Sequence, residues 1–393
     1  MIHILIPTRN RLELLRFACE SLTQGATQLK DESFAFWVSD NSTPEIADEV
    51  RAFVETIPAI RYLRPPNELS MTEHWNWAIE EVLRDKERNG DYLGILTDRF
   101  ACLPGKLDSV ARIVSDLRPD LLSFGYDTIN DSQESIFKIS RKKWSKRVTW
   151  ISRDKIFEDF RKCHFKMELP RLLNCVVRVE KLDEIRQTAG QYMVSISPDF
   201  SFCMEYLAQN LGIYFLSDAV FFQHGLNRSN GFSSTIDTGK SKEHEDFMSF
   251  LPKGNHWSAP VGDIHTLLNG VVHELEVARS RRGRPEDGQF PEIDIQAYGN
   301  AILLETRHRT TIDRRDLKER LVRLGWRPRK FCCSLGLARQ WIVSRLEASR
   351  IGFRMLSYLS NFGFVNSKRK IFSDRQAAIS WLHAETINAE QAQ

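Results

Sequence analysis

IHILIPTRNR, residues 2–11, sets an apolar run against a polar tail: Ile2 to Ile6 reads as a short buried strand, and Pro7, Thr8, Arg9, Asn10 and Arg11 follow it at once. The arrangement recurs downstream. Phe34 to Ser39 runs into Asp40, Asn41, Ser42 and Thr43, Ile60 to Leu63 into Pro65, Pro66 and Asn67, and Tyr92 to Leu96 into Thr97, Asp98 and Arg99, while Leu121 to Tyr126 supplies a fifth strand. Between these runs, Leu12 to Leu22, Pro44 to Val54, Met71 to Leu83 and Leu107 to Leu117 return apolar residues at three- and four-residue steps, the helical period. Strands alternating with helices predict a doubly wound α/β domain. Open sheets of this kind bind ligands beyond the carboxyl ends of their strands, so the polar loops are expected to converge on one edge.

Further along, Asp127 to Trp150 is polar, basic and weakly patterned, and reads as an insertion or an acceptor-side loop. Leu172 to Arg178 then reads as a strand, Val179 to Thr188 as a helix, Pro198 to Gln209 as a helix, and Gly212 to Leu216 and Ala219 to Gln223 as two strands. After His224 comes a Gly, Ser and Asn rich loop, Gly225 to Gly239, suited to closing over a ligand as a lid or to being an ordinary surface loop. Beyond it the pattern is mainly helical: His265 to Ala278, Gln296 to Leu324, Leu335 to Leu359 and Ser373 to Ala384. The expected organisation is an α/β domain over 1–255 and a basic helical region over 256–393.

The chain has 393 residues, with 42% apolar and 27% charged residues, a globular composition that argues against disorder, collagen-like repeats and membrane-spanning architecture. A net charge of +3 conceals an asymmetry, since residues 300–393 carry 18 Lys and Arg against 8 Asp and Glu. A basic tail suits phosphates or an anionic surface, and is equally read as a solvated helical face. The stretch from Leu335 to Leu359, with the Lys368, Arg369 and Lys370 cluster beyond it, is amphipathic enough to lie on an anionic membrane or to pack on the α/β domain. No recognisable nucleic-acid module accompanies the charge. Seven cysteines form no CxxC pair and read as reduced thiols. With neither a signal peptide nor a membrane span apparent, the expected location is cytoplasmic, with peripheral contact at the inner face of the membrane left open.

Taken in order, IPTRNR, VSDNS, PPN followed by HWNWAI, and GDYLGILTDRF with PGKL behind it resemble the family 2 glycosyltransferases of GT-A fold, over roughly residues 1–125. The resemblance implies a nucleotide-binding α/β domain that transfers a sugar from a nucleoside diphosphate donor, inverting the anomeric carbon. The polar loops agree on their own terms. A nucleotide sugar needs a carboxylate or amide for the base, donors and acceptors for the ribose, and cations or backbone N–H groups for the diphosphate. Asp40 is placed to accept from a base N–H and ribose hydroxyls, although Asp-Asn-Ser before Thr43 and Pro44 is also an ordinary turn into a helix. Pro7, Thr8, Arg9 and Arg11 would flank the nucleotide. Asn67 and Asn76 match donor-side positions of the family or do structural work.

The acidic motif departs from the family pattern. Where two or three carboxylates usually bind Mg²⁺ or Mn²⁺, this chain has Thr97, Asp98, Arg99 and Phe100. A guanidinium cannot ligate a cation, so either Arg99 neutralises the diphosphate in a metal-independent site, or Arg99 turns inward and Asp98 holds the metal alone. His224 matches a place where related enzymes contribute to metal or diphosphate, and a lone histidine is more often structural. The resemblance also implies an inverting base about a hundred residues past the acidic motif, at a helix start. Asp199 in SISPDFSF fits, with Glu205 in reserve, while acids in first turns are also common for stability alone. The acceptor would be a glycan or a lipid-linked glycan. Two other readings remain open: a catalytically silent scaffold that binds a nucleotide sugar, and a sugar nucleotidyltransferase, which the absence of glycine from IPTRNR disfavours.

Overall fold

A computed structural model describes residues 1–25, 33–84, 90–133, 136–229, 257–262, 264, 266–282, 290–307, 309, 312–328, 346, 353, 355 and 367–391. Strand β1 (Ile2–Thr8) explains the two-layer cover of the sheet. Successive side chains of a strand point to opposite faces, so Ile2, Ile4 and Ile6 enter one apolar core and Leu5 the other. Helices α1 (Leu12–Gly25), α2 (Pro44–Glu55) and α4 (Lys106–Leu117) close the first core; α3 (Met71–Val82) lies in the second. Helix α3 starts at Ser70 because Ser70 and Glu73 form a capping box, which satisfies two backbone N–H groups that the first turn leaves without partners.

Strand β1 runs parallel to β2 (Phe34–Asp40) on one side and β4 (Tyr92–Ile95) on the other, and β3 (Ile60–Leu63) continues parallel beyond β2. Strand β9 (Cys175–Arg178) is antiparallel to both β4 and β6 (Leu121–Gln133), so β6 points the same way as β4. Strand β10 (Ile213–Gln223) is parallel to β6. The carboxyl ends of β1, β2, β4, β6 and β10 therefore share one edge. The short β5 (Phe100–Cys102) returns antiparallel to the end of β10, and there the His224 N–H donates to the Arg99 carbonyl at 2.9 Å.

Four stretches differ from their sequence reading. Asp127 to Trp150 is no loop: β6 runs on to Gln133, and β7 (Ile136–Lys142) and β8 (Val148–Ile151) follow. Its strand pattern was hidden because Lys138 and Arg141 are buried alongside Ile139, and Arg141 meets the buried Asp127 at 3.4 Å. The two strands expected over 212–223 are one strand, interrupted in register at Ser217 and Asp218. Gln296 to Leu324 is two helices, α9 (Ile295–Glu305) and α10 (Arg314–Arg323), because Asp313 accepts from the Arg315 and Asp316 N–H groups and starts a new helix. Lys368, Arg369 and Lys370 lie in β11 (Ser367–Phe372), antiparallel to β7, rather than on a helical face. Helix α11 (Arg375–Gln391) then sets Ala378, Ile379 and Leu382 against Ile129, Ile139 and Phe222, so residues 367–391 complete the same sheet.

The Leu5 side of the sheet is also covered by α5 (Arg153–Arg161), α6 (Val179–Ala189), α7 (Pro198–Leu207) and α8 (Leu267–Arg282), with α9 and α10 outside them. No helix among the described residues is long and apolar enough to cross a membrane. The expected helix Leu335 to Leu359, apart from Leu346, Phe353 and Met355, and the expected lid from residue 230 onward lie outside the described residues.

Candidate active site

Thr8 ends β1 opposite Asp40 of β2, and its hydroxyl donates to Asp98 Oδ2 at 2.9 Å. Arg11, from the loop into α1, reaches Asp98 Oδ1 at 3.2 Å. Asp98 is 1% exposed, so its charge is held by a hydroxyl and a guanidinium where water is excluded. On the other side of Thr8, Asp40 is fully buried and accepts from the Ser42 N–H and Tyr62 Oη, both at 2.9 Å, and from Arg64 at 3.3 Å. Pro7 is buried opposite Ser39, Arg9 pairs with Glu68 at 2.9 Å, and Asn67 stands exposed in the loop after β3. Asn10 holds the first two loops together. At φ +53° it receives the Thr43 N–H on its side chain at 3.0 Å, and its own N–H donates to Ser42 Oγ at 2.8 Å.

Arg99 follows Asp98, and its Nη1 is buried without a hydrogen-bond partner among the described residues. Burial, and the like charge of Arg11, hold its guanidinium at about 10, against the favourable pull of Asp98, Tyr126 and Asp199. Arg171 donates to the Tyr126 hydroxyl and lies over the Tyr126 and Phe200 rings, 5.5 and 5.6 Å from their centroids. A tight loop presents it: Leu172 sits at φ +56°, and Asn174 accepts the Arg171 N–H at 3.1 Å while donating to the Phe124 and Met167 carbonyls. Asp199 lies in the first turn of α7, where burial raises its carboxyl above the ordinary range and the charges of Arg171 and Arg99 oppose that rise. Asp98 and Asp199, about a hundred residues apart in sequence, thus share the field of one arginine.

The turn carrying Asp199 is held from two helices. From α3, Asn76 accepts from the Tyr192 and Met193 N–H groups at 3.0 Å and donates to the Met193 carbonyl at 2.8 Å, and Thr72 donates to the Ser195 carbonyl at 2.6 Å. From α8, Glu274 accepts the Ser197 N–H at 2.8 Å, and His273 bonds Ser195 Oγ at 3.1 Å. Asn76, expected on the donor side, has both ends of its amide committed to this backbone. Glu205, the reserve base, is fully buried on α7 and pairs with Arg281 of α8 at 3.9 Å.

Residues 3–186 match the family described as Glycosyl transferase family 2. The chain carries a family 2 glycosyltransferase domain. Thr8, Asp40, Asp98, Arg99 and Arg171 fall inside the matched residues, and Asp199 falls beyond them. Among solved structures, S. aureus TarS 1–349 in complex with UDP-GlcNAc aligns over 84% of this chain and 93% of that one, at 11% identity and a TM-score of 0.46. S. aureus TarS 1–349 in complex with UDP aligns over 64% of this chain and 70% of that one, at 12% identity and a TM-score of 0.42. No curated protein sequence matches the chain.

Family 2 glycosyltransferases often use a divalent cation, but the donor set here does not fit one. Both Asp98 oxygens are engaged by Thr8 and Arg11, the neighbouring side chain is the Arg99 cation, and the described residues contain no group of three His, Cys, Asp or Glu able to hold a metal. His224, the other expected ligand, is fully buried, edge-on to the Phe17 ring with centroids 5.1 Å apart and tilted against Phe222. Burial, with the charges of Arg375 and Arg99, holds it down at about 3, surroundings that repel a cation rather than recruit one. Gly225 then turns the chain at φ +62°, its N–H donating to Asp131 at 2.8 Å. The sequence reading missed Arg171, Tyr126 and Glu274. None carries a local signal, because each reaches the site only through the tertiary path of its element.

Proposed function

We propose that the enzyme transfers a glycosyl group from a nucleoside diphosphate sugar to an acceptor hydroxyl with inversion, using Asp199 as base and arginines in place of a metal ion. The observation that carries the reading is Arg99 Nη1, buried and without a hydrogen-bond partner among the described residues, on a guanidinium that feels the charges of both Asp98 and Asp199. A buried donor without a partner is costly, and a diphosphate oxygen would satisfy it with a charge-assisted bond. A carboxyl whose affinity for protons is raised by burial suits the other half of the reaction. Asp199 takes the acceptor proton as the hydroxyl oxygen attacks the anomeric carbon, the bond to the diphosphate breaks on the opposite face, and Arg99 and Arg11 receive the developing charge. The TarS structures hold UDP or UDP-GlcNAc, and a nucleoside diphosphate sugar is the donor class proposed here as well.

Calorimetric titration with UDP, GDP, dTDP and ADP, in EDTA and in Mn²⁺, tests the reading. At least one nucleotide is expected to bind equally in both buffers, and Arg99→Gln to weaken it by about 10- to 100-fold, the worth of one charged hydrogen bond. Binding that appears only with Mn²⁺ would refute the metal-free site.

A further inference from the structure

Helix α8 begins 81 residues beyond the end of the family match, at Leu267 against residue 186, yet it reaches the turn that carries Asp199. Glu274 is 1% exposed; its Oε1 accepts the Ser197 N–H at 2.8 Å, and its Oε2 is buried without a hydrogen-bond partner among the described residues. Ser197 is the N-cap position of α7 and its own side chain makes no cap bond, so the Glu274 carboxyl takes up a backbone donor at the very start of the helix. One residue earlier on α8, His273 bridges Ser195 Oγ and the Ser258 N–H, at 3.1 and 2.9 Å.

We propose that Glu274 is a positioning residue for Asp199, fixing the start of α7 and thereby the place of the carboxylate that takes the acceptor proton. The proposal rests on the reading of Asp199 as base. Two features favour this role over ordinary helix packing. A fully buried carboxyl is an expensive way to join two helices, since an apolar side chain of the same volume would pack there without the desolvation cost. Its acceptor is spent two residues from Asp199, rather than elsewhere on the long α7 and α8 contact. The groups around the pair are Arg171 and Arg99 with Asp199, Cys203 one turn along α7, and His273, with the Glu205 and Arg281 pair farther down. Burial and the Asp199 charge push the Glu274 carboxyl up to about 8, so near pH 7 it is mostly the neutral acid. Glutamine, neutral and with the same acceptor oxygen, is then its close substitute.

The test uses the full chain, with nucleotide release from UDP-GlcNAc or another nucleotide sugar that it turns over, nucleoside diphosphate affinity, and thermal midpoint measured in parallel. Glu274→Gln keeps the acceptor and is expected to retain kcat within about twofold at pH 7, while losing any change of rate that wild type shows near pH 8. Glu274→Met fills the space without an acceptor and is expected to lower kcat by about 10- to 100-fold with nucleotide affinity unchanged, as displacing a catalytic group by about 1 Å does. Should Glu274→Met not fold, Glu274→Gln against Glu274→Leu in nucleotide-bound protein gives the same comparison. Asp199→Asn separates the two layers of the claim. If it keeps full turnover, the base reading fails and this proposal with it. If it is inactive while Glu274→Met retains wild-type kcat, the proposal alone is overturned.

Discussion

Replacing Asn76 by alanine sets the structure's account of this residue against the donor contact expected from its place in the sequence. The side chain is 8% exposed and makes three hydrogen bonds, all to the backbone of Tyr192 and Met193. Alanine leaves two N–H groups and one carbonyl without partners in the interior. At about 1–3 kcal/mol for each buried group left unmade, with water reaching some of them, the loss is about 3–5 kcal/mol. That is a large share of the roughly 5–15 kcal/mol that holds a typical domain together. Urea unfolding followed by tryptophan fluorescence reads it directly, and a nucleoside diphosphate titration on the folded variant should show affinity within about threefold of wild type. A variant that unfolds within about 0.5 kcal/mol of wild type but loses tenfold or more in nucleotide affinity would refute the clamp and restore Asn76 to the donor.

His74 and His224, both held at about 3, must stay neutral to remain buried, whereas the unfolded chain protonates them near 6.5. Their contribution is fully present above pH 6.5 and falls as pH drops towards 3, by about 2 kcal/mol per histidine at pH 5. Urea midpoints at pH 7 and pH 5 should show this fall, with a shallower one in His224→Phe; equal midpoints in wild type would count against it. Lys106 and Asp218 form a buried pair at 2.7 Å, so Lys106→Met should cost about 3–5 kcal/mol by stranding the carboxylate, and Lys106→Met with Asp218→Leu should recover part of it. A single variant as stable as wild type in thermal denaturation would contradict that assignment.

The α/β framework was legible because its strands are apolar and its helices amphipathic. Ile60–Leu63 matches its sequence reading end for end, and Thr8, Asp98 and Arg11 meet where the strand-end rule put them. The sheet's extension was not legible, since β7 and β11 bury Lys138, Arg141 and Arg369, residues that erase the apolar alternation on which strand recognition depends. In the site, the loops after β1, β2 and β4 could be read in sequence order. Arg171 could not, because a lone arginine in ELPRLLN gains meaning only once Asn174 folds the loop and Tyr126 orients it. Asn76 shows the converse: its position suggests a ligand, and its hydrogen bonds belong to the scaffold.

A crystal structure of the full chain, grown in EDTA with whichever nucleoside diphosphate binds most tightly, would bear most directly on metal-free sugar transfer. The diphosphate should lie at the shared strand edge with an oxygen on Arg99 Nη1, and Asp199 should face it across the space that the sugar would fill. A nucleotide bound away from Arg99, or one that enters this edge only when Mn²⁺ bridges it to Asp98, would contradict the account.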